Sequence, residues 1–362
     1  MANLRPILFM GLLVLSYLMW VEWQKDYGPK PQPQTQSQNS TEAINPSFDV
    51  PDNTALTDDS VPTAGDLPQT QAQTGMVGQD SGPQAVMTGQ NELLMVRTDV
   101  LEVGIDLVGG TLVTARLLDY PVELEVSEIK VDLLKRSGPD MFIAQSGLLS
   151  REAAPNHTST YRSERMQYTL GETAEEIRVP ITWSDPNGIQ VTKTFIFKRG
   201  QYDMTVRHTL ANNSDRPWSG SRYDQLQRSV LTDRDDGGFT NPGRYSFFGI
   251  GFYSPEEKFE KVDFDDIASE PYKRDIKNGW VSMVQHYFFA AWIPPQDEIN
   301  NYSTQVYSPT GFPRYIARAV SPAVIVESGT NHEFESRLYV GPKLQDTLED
   351  KAPGLGHTVN YG

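Results

Sequence analysis

The stretch Gly279–Pro294, which reads GWVSMVQHYFFAAWIP, decides the fold because it is the most apolar run far from the N-terminus. A membrane-spanning helix needs about twenty mostly apolar residues, and this run has sixteen. Gln285 and His286 in its middle would cost several kcal/mol at mid-bilayer depth. We therefore predict two buried strands, around Trp280–Val284 and Tyr287–Ile293, joined by a polar turn, with the aromatic rings filling the space between two sheets.

Apolar and polar residues alternate in several other segments from Asn91 onward, which is the period of a half-buried strand. The clearest segments are Leu101–Leu107, Ile177–Trp183, Tyr202–Leu210 and Phe334–Val340. Turn-forming residues lie between the runs, at Gly109-Gly110, Asp185–Gly188, Arg199-Gly200, Asn212–Asp215 and Asp235–Gly238. Many short strands at this spacing predict a mainly β fold, a large antiparallel sandwich.

One short helix is predicted near the C-terminus, at about Pro342–Lys351. Pro342 suits the first turn of a helix, and Pro353-Gly354 would end it. Leu344 and Leu348 are four residues apart and would share one face.

The N-terminus carries a membrane signal. A helix over Pro6–Trp23 would be roughly 27 Å long, close to the ~30 Å hydrocarbon layer. Arg5 precedes the apolar run and Asp26 follows it, so the positive-inside rule places the N-terminus in the cytoplasm. The alternative is a cleaved signal peptide, but no small-residue cleavage site follows the run. We predict an uncleaved transmembrane anchor over residues 1–27.

The composition of residues 28–90 predicts a disordered linker. They are rich in proline, glutamine, serine and threonine, and the run PKPQPQTQSQNS has no apolar side chain. Such a composition buries too little surface to offset chain entropy. The predicted division is therefore anchor, linker, a sandwich over 91–341, and a C-terminal helix with a lead-in to a second span over 342–362.

Charge and composition exclude several classes of function. The chain has 31 lysines and arginines against 47 aspartates and glutamates, a net charge of −16, which repels nucleic acid. It has no cysteine and five histidines, none of them at metal-ligand spacing. Phosphate-loop, nucleophile-elbow and zinc-protease motifs are absent. We predict no catalytic, cofactor-binding or metal site, and therefore no enzyme.

Three features were weighed as possible sites. The run DRDDGG, Asp233–Gly238, departs from a calcium loop at the third ligand and at the final glutamate, so we interpret it as a solvated turn, with calcium as the alternative. The second feature is a loop that contains Asp263, Asp265 and Asp266. The third is the two lone histidines, His208 and His286. We interpret the aspartates as solvated, with a bound cation as the alternative, and the histidines as core residues.

Several stretches resemble the N-terminal part of YidC-type membrane protein insertases of Gram-negative bacteria. These stretches are the anchor ending in MWVEWQKD, the linker, TDVLEVGIDLVGGTLVTARLLDYP, KTFIFKRGQYDMTV and YSPEEKFEKVDFDDIA. GWVSMVQHYFFAAWIP and LYVGPKLQDTLEDKAPGLGHTVNYG are the most specific. The positions that match the family pattern there are Gly279, Trp280, Tyr287, Phe288, Trp292, Ile293, Pro294, Val340, Gly341, Pro342, Tyr361 and Gly362.

The resemblance implies a large β-supersandwich of galactose-mutarotase-like shape. It also implies a function in the insertion and folding of inner-membrane proteins, with or without the Sec translocon. The implied partners are nascent inner-membrane proteins, the Sec translocon including SecDF, and the lipid bilayer through residues 6–23. The implied location is the bacterial inner membrane, with the main domain in the periplasm.

One departure limits what the resemblance carries over. In the family, five further transmembrane helices with a positively charged groove begin where this chain stops, at Gly362. We therefore expect a non-catalytic accessory domain, and the resemblance assigns no functional residue to this chain. The leucine face of the predicted helix either couples the sandwich to that membrane core or packs on the sandwich. Two other functions stay open: a structural spacer, or a tethered carbohydrate-binding or sugar-epimerase-like protein in which His208 faces a carboxylate in a cleft.

Overall fold

The computed structural model describes most of the predicted sandwich, over residues 92–123, 126–230, 247–307 and 312–359. The predicted anchor and linker lie outside the described residues, and so does the acidic turn Asp233–Gly238. In the ranges that are described, no helix is both long enough and apolar enough to cross a membrane.

The described chain is built almost entirely of β-strands. Those resolved in these ranges are β1 Leu94–Arg97, β2 Leu101–Asp106, β3 Thr111–Glu123, β4 Val126–Leu134, β5 Phe142–Ser150, β6 Gln167–Thr169, β7 Glu176–Ser184, β8 Ile189–Lys198, β9 Asp203–Asn212, β10 Trp218–Ser229, β11 Gly249–Ser254, β12 Lys258–Val262, β13 Lys273–Lys277, β14 Trp280–Val284, β15 Phe288–Ile293, β16 Ile299–Tyr307, β17 Arg314–Val320, β18 Val324–Val326 and β19 Thr330–Pro342. A single α-helical turn, α1 (Gln345–Leu348), and a 3-10 turn (Leu355–Thr358) follow β19.

The strands form two sheets. Sheet 1 has eleven strands in the order β13-β16-β17-β10-β5-β3-β2-β1-β6, with β4 paired to β3 and β18 paired to β10. Sheet 2 has eight strands in the order β12-β11-β14-β15-β19-β9-β8-β7. Apart from the parallel pair β1–β6, neighbouring strands run antiparallel, as β10 does with β5 and β19 with β9. The predicted mainly β sandwich of two antiparallel sheets is confirmed.

Every second side chain of a strand enters the space between the sheets. In β9 the buried residues are Met204, Val206, His208, Leu210 and Asn212, and the residues between them are partly exposed. This is the pleat period of two on which the sequence prediction relied. Apolar side chains from both sheets pack into one large core and a smaller second cluster, so burial of apolar surface holds the two sheets together.

The stretch Gly279–Pro294 forms a β-hairpin in sheet 2, as predicted. β14 has the predicted bounds, whereas β15 begins at Phe288, one residue later than expected. The Gln285 N–H donates to the Phe288 carbonyl oxygen at 2.8 Å and closes the turn. Tyr287 therefore lies in the turn, where it is 66% exposed.

This hairpin is buried on both faces. The Trp292 indole N–H donates to the Gln225 carbonyl oxygen of sheet 1 at 3.0 Å, so Trp292 and its cross-strand neighbour Val281 point into the sandwich. Because side chains alternate along a strand, Trp280 and Phe289 point to the outer face of sheet 2. Both are nevertheless 0% exposed, which means that another layer covers the outer face.

The predicted C-terminal helix is wrong in its bounds. Pro342 is the last residue of β19, paired with Phe288, and does not begin a helix. The α-helical part is the single turn α1, and Leu344 before it is extended, with φ −83° and ψ 95°. The physical reason is that the backbone from Lys343 onward is held by contacts with sheet 2, so tertiary structure overrides the leucine spacing.

Candidate functional site: a C-terminal segment on the outer face of sheet 2

The layer that covers the hairpin is the C-terminal segment, residues 343–359. Two hydrogen bonds attach its backbone to outward-facing side chains of sheet 2. The Trp280 indole N–H donates to the Pro353 carbonyl oxygen at 2.9 Å, and the Arg337 guanidinium donates to the Lys351 carbonyl oxygen. Each satisfies a carbonyl that lies outside regular secondary structure, where an unpaired buried acceptor would cost about 1–3 kcal/mol.

Apolar side chains of the segment complete the core on this side. Leu348 and Leu355 are 0% exposed and Ala352 is 2% exposed, and they belong to the same core as Trp280. Complete burial of a leucine side chain contributes about 1.5–3 kcal/mol. The two leucines together therefore stabilise the docked state by roughly 3–6 kcal/mol, which is an upper bound because unfolded chains bury some surface too.

Stacked aromatic rings form the floor under the segment. Tyr253 stacks on Trp280 with ring centroids 5.5 Å apart and planes 6° apart, and Tyr253 also stacks on His357 of the segment at 6.4 Å. Phe289 stacks on Tyr339 at 4.7 Å. Such pairs contribute about 0.5–1.5 kcal/mol beyond their buried area. The floor comes from β11, β14, β15 and β19, so four strands position it.

The sharp turn of the segment depends on Glu349 and Gly354. The Glu349 carboxylate accepts the backbone N–H groups of Gly354 and Gly356, each at 3.1 Å. Gly354 has φ +70°, a conformation that favours glycine. A Cβ atom there would lie 2.1 Å from the Tyr253 ring, so glycine is required both by the backbone and by the close approach to the floor.

A charged groove borders the segment on the side of β7, β8 and β9. Its volume is about 500 Å³. Lys351 is one of the residues that line it, and it forms an ion pair with Asp203 at 2.6 Å. The groove is lined by four acidic and four basic side chains: Glu175, Glu176, Asp203, Asp350, Lys198, Arg199, Arg337 and Lys351. The acidic and basic side chains that line the groove are therefore equal in number.

The two leucines of the predicted helix face have different surroundings. Leu348 is 0% exposed and packs on the sandwich, whereas Leu344 is 39% exposed. They therefore do not form one exposed face. Of the two roles considered for this face, packing on the sandwich applies to Leu348.

The structure places His208 in the core between the sheets, as predicted. It is 0% exposed, and neither ring nitrogen has a hydrogen-bond partner among the described residues. Burial, together with the nearby charges of Lys193 and Arg222, lowers the pKa of His208 well below its ordinary value. A histidine sealed from solvent cannot contact a soluble sugar, so the sugar-epimerase alternative loses the histidine on which it was based.

The polar groups around His208 connect the two sheets. Asp224 of sheet 1 accepts from Arg222 at 2.8 Å and from Ser336 of sheet 2 at 2.7 Å. Lys193 of sheet 2 donates to three carbonyl oxygens of sheet 1 and its adjoining turn, those of Gly109, Gly110 and Ser146, at 3.0, 2.8 and 2.9 Å. These hydrogen bonds join the two sheets and help to fix how they are registered, so we interpret this cluster as structural.

The remaining candidates lie at the surface. Asp263, Asp265 and Asp266 are exposed around the turn after β12, and no group of three or more histidines and acids in the described ranges could hold a metal ion. His286 is half-buried in the hairpin turn rather than in the core. Desolvation and the charge of Lys343 lower the pKa of its imidazole.

The fold and the docked segment together define a β-sandwich domain whose outer face is closed by its own C-terminal residues. The chain belongs to the YidC periplasmic domain family, because the model of that family matches residues 93–362. The family is not enzymatic, in agreement with the prediction that the chain is not an enzyme.

Relatives named membrane protein insertase YidC match the whole chain. The protein of Thioalkalivibrio sulfidiphilus is 35% identical over 378 residues, which cover 100% of this chain and 62% of the relative. That of Nitrosococcus oceani is 36% identical over 370 residues, again with 100% and 62% coverage. The chain therefore spans about 62% of the length of these relatives and corresponds to their N-terminal portion.

Solved structures that match part of the chain include the following two. A galactose mutarotase related enzyme from Lactobacillus acidophilus has a TM-score of 0.44 and 8% identity, with 68% of this chain and 96% of that chain covered. A proposed aldose 1-epimerase from Escherichia coli K12 has a TM-score of 0.38 and 11% identity, with 68% of this chain and 98% of that chain covered.

Sequence reasoning missed the residues that hold the C-terminal segment. Trp280 and Gly354 lie in the two stretches that most specifically resemble the family. The hydrogen bond that holds the segment, however, joins Trp280 to Pro353, which is 73 residues further along the chain. The usable signal was the run Pro353-Gly-Leu-Gly356, since two glycines so close together indicate a turn with special backbone requirements.

Proposed function

We propose that this chain is the N-terminal part of a membrane protein insertase, which inserts and folds inner-membrane proteins with or without the Sec translocon. Residues 1–27 anchor it in the inner membrane through the span 6–23, with the N-terminus in the cytoplasm, and residues 28–90 tether the sandwich in the periplasm. Its partners are nascent inner-membrane proteins and the Sec translocon including SecDF. The printed names of the relatives support this proposal.

The sandwich serves this function as a non-catalytic accessory domain. The observation that carries this role is the attachment of the C-terminal segment to sheet 2 by Trp280, Arg337, Leu348 and Leu355. A segment held by buried contacts transmits position rigidly, whereas a free linker does not. We infer that it fixes the orientation of the sandwich relative to the membrane part of the insertase.

The test uses the complete reading frame that contains this chain, expressed in cells depleted of their own insertase. The measured quantity is the fraction of a reporter inner-membrane protein that becomes inserted. Trp280→Phe removes the indole N–H that binds Pro353 but keeps an aromatic ring on the floor. We expect this variant to lower insertion severalfold.

Trp218→Phe is the matched control. Trp218 is 1% exposed, and its indole N–H donates to the Ala153 carbonyl oxygen at 3.1 Å, away from the C-terminal segment. Both substitutions lose one buried hydrogen bond at a similar cost in stability. Equal insertion by the two variants would show that attachment of the segment does not matter, and failure of the unaltered frame to support insertion would overturn the insertase assignment itself.

A further inference from the structure

One corner of sheet 2 combines exposed apolar side chains with positive charge. It lies where the turn of the β14–β15 hairpin meets the end of β19. The Lys343 N–H donates to the Tyr287 carbonyl oxygen there at 2.9 Å, next to the strand pair of Phe288 with Pro342. Tyr287 is 66% exposed, and Leu344, which follows Lys343, is 39% exposed. We call Tyr287, Lys343 and Leu344 the corner patch.

Within the described ranges, no ion pair balances the positive charge of the corner patch. Burial and the charge of Lys261 lower the pKa of Lys343 to about 8, whereas a nearby carboxylate would raise it. Glu260, which adjoins Lys261 in the sequence, pairs instead with Arg274 at 3.0 Å. Lys343 is still mostly protonated at pH 7, so two ammonium groups lie near each other at this corner.

His286 extends the corner patch with a ring that carries no charge. The ring packs edge-on against that of Tyr287, with centroids 3.9 Å apart, and its buried Nδ1 atom has no hydrogen-bond partner among the described residues. Desolvation and the charge of Lys343 lower the pKa of the imidazole. The corner therefore presents aromatic and aliphatic side chains beside two cations, a combination that suits the boundary between lipid headgroups and acyl chains.

The charge of the chain favours a lipid surface as the partner of this corner. The chain has a net charge of −16, so an anionic bilayer repels it as a whole and attracts only a face with unbalanced cations. A second copy of the chain would bring its own two lysines to the same place, and like charges repel. A free phosphate ion would pair with the lysines but would leave Tyr287 and Leu344 in water.

We propose that the corner patch docks on the surface of an anionic bilayer, with Tyr287 and Leu344 at the level of the headgroups and with Lys343 and Lys261 on lipid phosphates. The proposal rests on the proposed function in one respect: the anchor over residues 6–23 keeps the sandwich near a membrane. A linker of about sixty residues has a reach of roughly 45 Å, so the tether replaces a search through solution and a weak patch suffices. The C-terminal segment then begins at the membrane surface, because Lys343 is its first residue.

Fluorescence quenching measures this docking in the full chain, which has no cysteine of its own. Gln345→Cys places a bimane label at an exposed residue beside the corner patch. Ile325→Cys is the matched control, because Ile325 is 66% exposed and pairs with Ser219. Ser219 lies near the opposite end of β10 from Arg228, roughly 30 Å away. Gln285 of the hairpin turn accepts from Arg228 at 3.0 Å once its amide is turned to satisfy both groups.

Each labelled chain is incorporated into nanodiscs whose lipids carry nitroxide headgroups, made either from phosphatidylglycerol with phosphatidylethanolamine or from phosphatidylcholine alone. In the anionic discs we expect quenching of Gln345→Cys to be at least threefold stronger than that of Ile325→Cys. Equal quenching of the two, or none of Gln345→Cys, would overturn the docking while leaving the proposed function intact. A chain that did not enter the discs would overturn the anchor, and the docking with it. Undiminished quenching in the neutral discs would overturn the role of the lysines.

Substitutions in the Gln345→Cys background test the charge and the apolar contact separately. Lys343→Gln and Lys261→Gln should each lower the ratio of docked to undocked chain about fivefold, the effect of one cation at an anionic surface, and Tyr287→Ser should lower it severalfold. Lys277→Gln is the control, since Lys277 is exposed and precedes β14, at the end of that strand opposite to the turn. An equal loss in Lys277→Gln would indicate an effect of net charge alone and overturn the proposal.

Two further outcomes would assign the corner to another occupant and overturn lipid as the partner. Quenching that appears only when two chains share a disc would indicate a second copy. A change in label fluorescence when inorganic phosphate is added to the neutral discs would indicate a free anion. Lys261 and Tyr287 are exposed, so their variants decide the question even if urea unfolding shows that Lys343→Gln weakens the fold.

Discussion

Leu348 is the side chain whose removal should detach the C-terminal segment from sheet 2. It is 0% exposed and belongs to the core. Replacement of a buried leucine by alanine costs about 2–5 kcal/mol, depending on how far the surroundings collapse into the cavity. Since the segment is a single outer layer and can move inward, we expect Leu348→Ala to lower the free energy of unfolding by about 2–3 kcal/mol.

Leu344→Ala is the matched control, four residues away in the same segment. Leu344 is 39% exposed, so the same chemical change should cost less than about 1 kcal/mol. If the two leucines formed one functional face, as the sequence pattern indicated, the two substitutions would have similar effects. The structure predicts a clear difference.

Two measurements separate these cases. Urea unfolding followed by tryptophan fluorescence gives the free energy of unfolding of each variant. Limited trypsin digestion reports local detachment, because Lys351 has a side chain only 19% exposed and is paired with Asp203. We expect faster cleavage after Lys351 in Leu348→Ala alone. Equal stability loss in both variants, or a loss below 1 kcal/mol in Leu348→Ala, would refute the reasoning.

Two further predictions concern the turn of the segment and the cluster between the sheets. Gly354→Ala should weaken the docked state by at least about 1 kcal/mol, because alanine is strained at positive φ and its Cβ would meet the Tyr253 ring. Urea unfolding measures this loss of stability. A variant as stable as the parent would contradict the prediction. Burial lowers the pKa of Lys193 to about 7. The folded chain then binds this proton more weakly than the unfolded chain, so the free energy of unfolding should rise from about pH 7.5 to pH 9.5, by up to about 1.4 kcal/mol per pH unit. Lys193→Met should remove that rise. Burial also lowers the pKa of Lys343, to about 8, but Lys343 contributes equally to the parent and to the variant. If the free energies of unfolding of the two proteins changed in parallel with pH, the Lys193 ammonium would stay charged in the folded chain.

Strands are predicted well from the sequence where one face is polar, or where an apolar run is too short to span a membrane. β14 has its predicted bounds because Gln285 and His286 could only be a turn. β10 was not predicted, although it lies at the centre of sheet 1. Its residues Arg222, Asp224 and Gln225 are all buried, and a period-two pattern cannot be recognised when polar side chains occupy both buried faces.

The candidate site was harder to predict than the fold, for a physical reason. The spacing of Leu344 and Leu348 is a local signal, and it correctly indicated a helical turn there. Its extent is set by non-local groups: Trp280 and Arg337 hydrogen-bond to carbonyls of the segment, so the backbone has no need of intrahelical partners. Local spacing therefore overestimates a helix wherever side chains of another element satisfy the backbone.

The hairpin β14–β15 is the middle layer of three at this end of the domain. Trp292 sends its indole N–H inward to Gln225 of sheet 1 at 3.0 Å, and Trp280 sends its own outward to Pro353 at 2.9 Å. A polar residue on either face of this hairpin would need a buried hydrogen-bond partner, as Ser282 has in the Gly251 carbonyl oxygen. This explains why Gly279–Pro294 is so apolar without crossing a membrane, and why its chemistry is tied to that of the C-terminal segment: each is the surface on which the other packs.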